Sequence, residues 1–455
     1  MDSRHHRLVT MTNGAPGAPM LWRLLRGGRA RGVIALSAAA IAVLAACTGP
    51  SPTPSPTEPT TSPTLPEPVT LSWWYQEGGE ALGALWQDVA ADFEAAHPHV
   101  TVEVTEFQPY PVEGDRSQPP PRPDDLPDIV QLWRPTDVRT WSAAGRLRDL
   151  TDDLAPQLAA IGGPAAAYRI DDRSYAVPWA FSSFGFWYNK DVFADAGIER
   201  VPTTLDELYE AIGALRAAGF TPIAVDGGDD YAIALYWEHF AAISCPATTL
   251  AEARATLRFD DPCFVDAGAH LAELVAADPF DADAPYRFPG GPNGAEGLVA
   301  TNRAGMTLSG SWAPGLMPAL LLPSEEVPEL GWFPFPAATA DGETAPSLLG
   351  IGRAFAVSAE APAEAVDLLR HILDTDVQSG QSDGWVPVVP GSEGAVGETL
   401  QPMLMAQREA AHVGLAHAVP SEVSIALDEA VGRLFRGNGT PQGIVDAMDA
   451  AGEAA

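Results

Sequence analysis

Beyond residue 68, runs of alternating apolar and polar residues trade places with stretches in which apolar residues recur every three or four positions. Val69 to Trp74 alternates as a strand does, and Leu82 to Ala96 carries Leu82, Leu85, Val89 and Phe93 on one helical face. His97-Pro98-His99 stops that helix, Val100 to Phe107 returns as a strand, and Asp128 to Leu132 is a further short one. Pro111 to Pro127, dense in proline and charge, reads as an exposed loop. A second well-marked helix begins at Thr204, which stands at capping-box spacing from Glu207, with Leu205, Leu208, Ile212 and Leu215 as its stripe. Gly219 sits where a helix-ending glycine belongs, and Phe220 to Val225 reads as the next strand. Ala363–Leu373 and Ile425–Phe435 read as helices, and the Ala- and Glu-rich end as a frayed one. Such alternation builds α/β lobes around largely parallel sheets.

The first stretch of the chain has a different character. Arg23, Arg26, Arg29 and Arg31 precede an apolar, alanine-rich run from Val33 to Ala46, too short for a permanent membrane helix and flanked as a signal peptide is. Leu44-Ala45-Ala46-Cys47 resembles the lipobox of bacterial lipoproteins, which implies removal of 1–46 and lipidation of Cys47. From Pro50 to Pro68 the chain is Pro, Thr and Ser with almost nothing to bury, the composition of an extended tether that holds a folded body off a membrane.

Removing 1–46 takes six of the 26 basic residues and one of the 60 acidic ones. That leaves 20 and 59, a formal charge of −39. Such a surface repels nucleic acid and anionic headgroups, and it disfavours an anionic substrate. Cys245 and Cys263 are the only cysteines after Cys47; in an exported chain an isolated pair reads as a disulfide. The alternative, a metal site, lacks the neighbouring His or Cys ligands zinc needs. Asp226-Gly227-Gly228-Asp229-Asp230 has the oxygen density of a calcium loop without its full spacing, so a polar turn after a strand is the simpler reading. No metal and no cofactor is expected.

Several distinct blocks follow one another along the body: Phe93 to Val104, Tyr175-Ala176-Val177-Pro178, Trp187 to Phe193 and Val201 to Leu208. Gly305-Met306, Gly310-Ser311-Trp312, Gly350 to Phe355 and Gly384-Trp385-Val386-Pro387 follow. In this order the chain resembles the family 1 extracellular solute-binding proteins, the sugar-binding lipoproteins of ABC importers, from about Val69 to Gly443. The resemblance implies an α/β, two-lobed periplasmic-binding-protein-like fold (type II), with a hinge and an interlobe ligand cleft. It places the N-terminal lobe at 69–180 plus 301–335 and the C-terminal lobe at 181–300 plus 336–455, after a signal peptide 1–46 and a tether 47–68. Crossings between lobes are expected near Pro178–Gly185, near Ala295–Thr301 and within Phe333–Leu348. The implied partners are a mono- or oligosaccharide, ABC permease subunits and, through the lipid anchor, the extracellular face of the cytoplasmic membrane. The chain is expected to be a monomer.

Sugar sites need flat apolar faces for the C–H side of a ring and fixed polar groups for its hydroxyls. Eleven of the twelve tryptophans lie beyond residue 46. Trp73 and Trp74 end the first strand, so one should face the core and the other the crevice beyond the strand end; Trp74, with Glu77, is the candidate pair there. Trp133 ends the Asp128–Leu132 strand in the same way. Trp179 and Phe181 stand at the first expected crossing, and Trp237 lies in a probable helix as core or rim. Gly310 with Trp312, Arg353 and Trp385 complete the candidates, and Asp137 is a weaker polar one. Trp86, Trp141, Trp187 and Trp332 read as packing. An exported glycoside hydrolase, which needs only two carboxylates, a binding protein for a cationic or peptide ligand, and a sensor lipoprotein remain open alternatives.

Overall fold

The structure, a computed structural model, describes residues 67–76, 79–107, 126–132, 134–322, 326, 328–339, 348–380, 386–392, 397–410 and 412–455. The signal peptide, Cys47, most of the tether, and the candidates Glu77, Trp133 and Trp385 lie outside the described residues. Two sheets organise the rest. The larger contains β1 (Val69–Tyr75), β2 (Val100–Glu106), β3 (Ile129–Leu132), β4 (Ala176–Ser183), β9 (Leu349–Val357) and β10 (Val386–Pro387), in the order β10-β4-β9-β3-β1-β2, with His412–Val413 added beside β9. The smaller contains β5 (Gly185–Asn189), β6 (Thr221–Ala224), β7 (Ala304–Ser309) and β8 (Leu330–Phe333), in the order β8-β5-β7-β6.

The alternation seen in sequence is the burial pattern of β1: Leu71, Trp73 and Tyr75 are buried, while Ser72 and Trp74 are only partly so. Trp73, Trp86 and Phe355 pack as a cluster, with Trp73–Trp86 centroids 5.1 Å apart and Trp86–Trp179 4.9 Å. The helix Gly79–Ala96 turns Leu82, Trp86, Val89 and Phe93 inward, with Leu85 at the margin, so Trp86 rather than Leu85 completes the stripe. It ends where His97 stacks on Phe93 at 4.1 Å. The cap at Thr204 also forms: its Oγ accepts from Glu207 N at 3.3 Å, and the Glu207 carboxylate accepts from Thr203 N and Oγ at 2.7 Å. Leu205, Leu208, Ala211, Ile212 and Leu215 are buried below it, and Gly219 follows at φ +90°.

Three expectations need correction. First, among the described residues β2-β1-β3, β6-β7 and β9 with His412–Val413 pair in parallel, but β9 runs antiparallel to both β3 and β4, and β5 antiparallel to β7 and β8. A strand that leaves one sheet for the other, or returns from it, points against the strands whose helices lie on the same side. Second, residues 301–335 do not join the first sheet: β7 and β8 belong to the smaller one, and β9, placed in sequence with the second lobe, runs through the middle of the larger. The expected crossing near Ala295–Thr301 is absent for the same reason, since β6 and β7 on either side of it are parallel neighbours. The crossings at Phe184, between β4 and β5, and between β8 and β9 do occur. Third, the chain does not fray at its end: Pro441–Ala454 is a helix whose Ile444, Val445 and Met448 are buried in the core around the smaller sheet.

Cys245 and Cys263 are bonded, with Cα atoms 5.1 Å apart and a separation of 18 positions in sequence. They join the end of helix Asp230–Ser244 to the first turn of helix Pro262–Ala276. Among the described residues no helix is long and apolar enough to cross a membrane. Closing a loop of this length stabilises the native state by about 3 kcal/mol. The double variant Cys245→Ser/Cys263→Ser is therefore expected to melt several degrees lower, and the unsubstituted exported chain to show no free thiol when denatured without reductant.

Candidate functional site

In open α/β sheets the ligand crevice lies beyond the carboxyl ends of the parallel strands. At the larger sheet that region holds Gln76, Gln131 and Arg353, all buried polar residues. Gln76 and Gln131 exchange side-chain-to-backbone bonds, Gln76 Nε2 donating to Gln131 O at 3.0 Å and Gln131 Nε2 to Gln76 O at 3.2 Å. Arg353 Nη1 donates to the same Gln76 carbonyl at 3.4 Å. The guanidinium is placed there by a register shift between Arg353 and Ala354 in the pairing of β9 with β4. Arg353 is thus a fixed cation under the strand ends rather than a surface charge. Trp74, in the neighbouring strand β1, is partly exposed and 5.4 Å from Phe107, while Trp73 is in the core.

The smaller sheet contributes the Gly310–Trp312 loop. Gly310 O accepts from the buried Trp187 Nε1 at 2.8 Å, Ser311 N donates to Ser182 Oγ at 3.0 Å, and the two serine hydroxyls lie 2.8 Å apart. These bonds fasten the loop to the end of β4, where Ser183 also donates to Gln407 Oε1 at 3.2 Å. Trp312 is half-buried and meets Phe184, the residue at the crossing, edge to face at 5.6 Å. Its ring lies across Gly310, where an added Cβ would come within 2.3 Å of it, so only glycine admits this placement. Gly310 and Trp312 are therefore brought together by the fold, at the point where the chain passes between sheets.

Other candidates are not at this surface. All eight residues of β4 are buried because neighbours pair with it on both sides and cores cover both faces. Trp179 is 1% exposed, stacked near Phe355 at 6.1 Å, and Phe181 is wholly buried among Val386, Leu348 and Met403. Trp237 is fully buried and stacks on Phe264 at 6.2 Å. These three rings pack cores instead of offering faces to a ligand. Trp86, Trp141, Trp187 and Trp332 are packing residues too.

Two acidic groups at strand ends complete the picture. Asp226, after β6, accepts from Ala295 N at 3.0 Å, and burial followed by the neighbouring Glu296 charge pushes its carboxyl up to about 7. Glu296 Oε1 in turn accepts from Ser309 Oγ at 2.9 Å, at the end of β7. Asp229 and Asp230 have other partners: Asp229 caps helix Asp230–Ser244, and Asp230 pairs with Arg436 at 2.6 Å. The Asp226–Asp230 segment is thus a helix-starting turn, and among the described residues no group of three or more His, Cys, Asp or Glu could hold a metal. Across at the larger sheet, Asp137 begins helix Pro135–Ala143, and burial raises its carboxyl to about 6 against the pull of Arg134. Arg134 donates to Ser421 Oγ, at the start of helix Ser421–Phe435 in the core around the smaller sheet. A carboxyl near neutrality both accepts and donates hydrogen bonds, which suits a ligand of neutral hydroxyls. Sequence reasoning missed Gln76, Gln131, Arg134 and Ser182; only their place just after or at the end of a strand could have marked them. A separate depression of about 370 Å³ between Ile243, Ser244, Asp266, His270 and Ala338 lies on the outer helical layer, away from the strand ends.

Residues 77–379 match the family model of the bacterial extracellular solute-binding proteins. A multiple sugar-binding protein of Streptococcus mutans serotype c is 26% identical over 285 residues, 61% of this chain and 64% of that protein, so the match spans less than two thirds of the relative. The diacetylchitobiose binding protein DasA of Streptomyces coelicolor is 24% identical over 329 residues, 70% of this chain and 73% of its own length. The apo-form of RafE from Streptococcus pneumoniae superposes with a TM-score of 0.69 at 22% identity, covering 86% of this chain and 98% of that one. The fold is therefore the two-lobed α/β type II binding-protein fold.

Asp226 holds its proton to higher pH when folded than when unfolded. Its contribution to stability is full below about pH 4 and is lost as pH rises through about 7. Asp226→Asn should remove this component, so that melting temperatures of variant and parent, measured from pH 4.5 to 8, diverge in the variant's favour at the alkaline end. Parallel curves would exclude Asp226 as the titrating group.

Proposed function

Because the chain belongs to the bacterial extracellular solute-binding protein family, we propose that it captures a sugar outside the cell and delivers it to the permease of an ABC importer. The observation that carries the reading is the Trp312 loop, fastened to the crossing segment by Ser182 and Trp187. It holds an aromatic face where both sheets meet, edge to face with the crossing residue Phe184. The sugar-binding names of the two relatives support the same class of ligand. Ligand held between the sheets gains contacts from both only when the lobes are shut, so binding shifts the population toward the closed form.

In this reading one lobe consists of the larger sheet with its helices and the other of the smaller sheet with helices Asp230–Ser244, Pro262–Ala276, Ser421–Phe435 and Pro441–Ala454. Trp74, Gly310, Trp312 and Arg353 contact the ligand, with Glu77, Trp133 and Trp385 as further contacts at the strand ends. Cys47 carries the lipid after removal of 1–46, which anchors a monomer to the extracellular face of the cytoplasmic membrane. The acidity of the body leaves no role for nucleic acid.

A thermal-shift screen against mono- and oligosaccharides, with polyamines, amino acids and peptides as controls, tests the ligand class. A ligand that binds the native state raises the melting temperature with its concentration. A saccharide is expected to do so without being hydrolysed; a shift from a polyamine alone, or release of product, would overturn the sugar-capture reading. Trp312→Ala is expected to weaken the saccharide by about tenfold while leaving the unliganded melting temperature within a few degrees.

A further inference from the structure

Two large aromatic side chains stand in water beside the smaller sheet. Tyr286 is 78% exposed and Phe288 64%. The segment that carries them is firmly tied down. Ala284 is buried and its carbonyl accepts from Gly227 N at 3.0 Å, while Arg287 O accepts from Gly228 N at 2.8 Å. The Arg287 guanidinium donates inward to Val225 O at 3.1 Å and to Asp281 Oδ1 at 2.6 Å. Positions 284 and 287 thus face the protein, and positions 286 and 288 face out. Burying each ring would be worth roughly 1.5–3 kcal/mol, so a fixed display of both forgoes a substantial stabilisation.

Their position connects them to the site. Phe288 lies against Gly228, in the same turn as Asp226, and an added Cβ at Gly228 would come within 2.9 Å of its ring. Asp226 is bonded to Ala295 N, and the adjacent Glu296 to Ser309, from which the chain runs directly into Gly310–Trp312. The rings therefore belong to the same bonded network as the strand end that leads into Trp312.

We propose that Tyr286 and Phe288 form an outer subsite that takes a further pyranose ring, so that the captured sugar is an oligosaccharide; this rests on the sugar-capture reading. Two rings offer on the order of 300–500 Å² at most, short of the roughly 800 Å² per partner of a stable protein interface. With the exposed Asp283 and the Tyr286 hydroxyl they combine apolar faces and hydroxyl acceptors, the mixture a sugar ring presents in complement.

The test titrates the purified chain and its Tyr286→Ala/Phe288→Ala variant with galactose, maltose to maltotetraose, diacetylchitobiose to chitotetraose, xylobiose to xylotetraose, and raffinose against stachyose, by calorimetry. In the series that binds, affinity should rise with length, and the variant should lose about tenfold for the longest member while the shortest stays within twofold. Phe288→Trp, which keeps an aromatic platform, should retain the length dependence and guards against misfolding of the double variant. Equal affinity of parent and variant for the longest sugar, equal loss at every length, or binding of galactose alone would overturn the outer subsite and leave sugar capture standing. Silence from every sugar would overturn both.

Discussion

Phe184 alone separates β4, in the larger sheet, from β5, in the smaller one. A chain that passes between two sheets in one residue leaves hydroxyls and carbonyls at the strand ends that must find partners without either sheet's ladder. Ser182, Ser183 and Gly310 are where this is met: Ser182 takes the Ser311 N–H, Ser183 reaches Gln407, and Gly310 receives the Trp187 indole. The Trp312 loop owes its place to those bonds. The same residues that tie the sheets together therefore also aim the aromatic face, which couples what touches Trp312 to the geometry of the crossing.

The acidic composition gains a more specific meaning at the strand ends. Most of the carboxylates are solvated and do no more than set the field of the surface. Asp226 and Asp137 differ because burial has raised their carboxyls into the range where they are partly neutral. Arg353 is buried in the larger sheet, bonded to a backbone carbonyl. These buried groups are thus polar without adding strongly to the charge, even though the chain as a whole is strongly anionic.

Local structure was readable from the sequence wherever it rests on short-range physics. The cap at Thr204, the stop at His97, the split between Trp73 and Trp74 and the Cys245–Cys263 pair all depend on neighbours in sequence or on simple elimination, and all are present. The family blocks carried the fold class. Sheet membership was harder, because the apolar alternation of β7 or β9 says that a strand is half or fully buried but not which sheet receives it. Site residues were hardest. A tryptophan on a central strand or a buried helix and one on a strand-end loop look alike in sequence, so nothing there separates Trp179 and Trp237 from Trp312, although of the three only the last is partly exposed. The polar residues that matter, Gln76 and Gln131, carry no signature beyond position, since their role comes from bonds between segments far apart in the chain.

The strand order has a consequence for how the protein comes into being. β9 is the seam of the larger sheet: it joins β3 to β4, and without it the sheet falls into two unconnected pieces. During synthesis or export from the N-terminus, β1, β2 and β3 emerge early, yet their unpaired edge at β3 stays open until the whole smaller sheet has passed. An edge left waiting is a template for unwanted pairing. The chain's slowest and most vulnerable interval should therefore be the one in which the smaller sheet is already complete and the larger sheet still lacks its middle, because closure of that gap forms the strand pairing of longest sequence separation among the described residues.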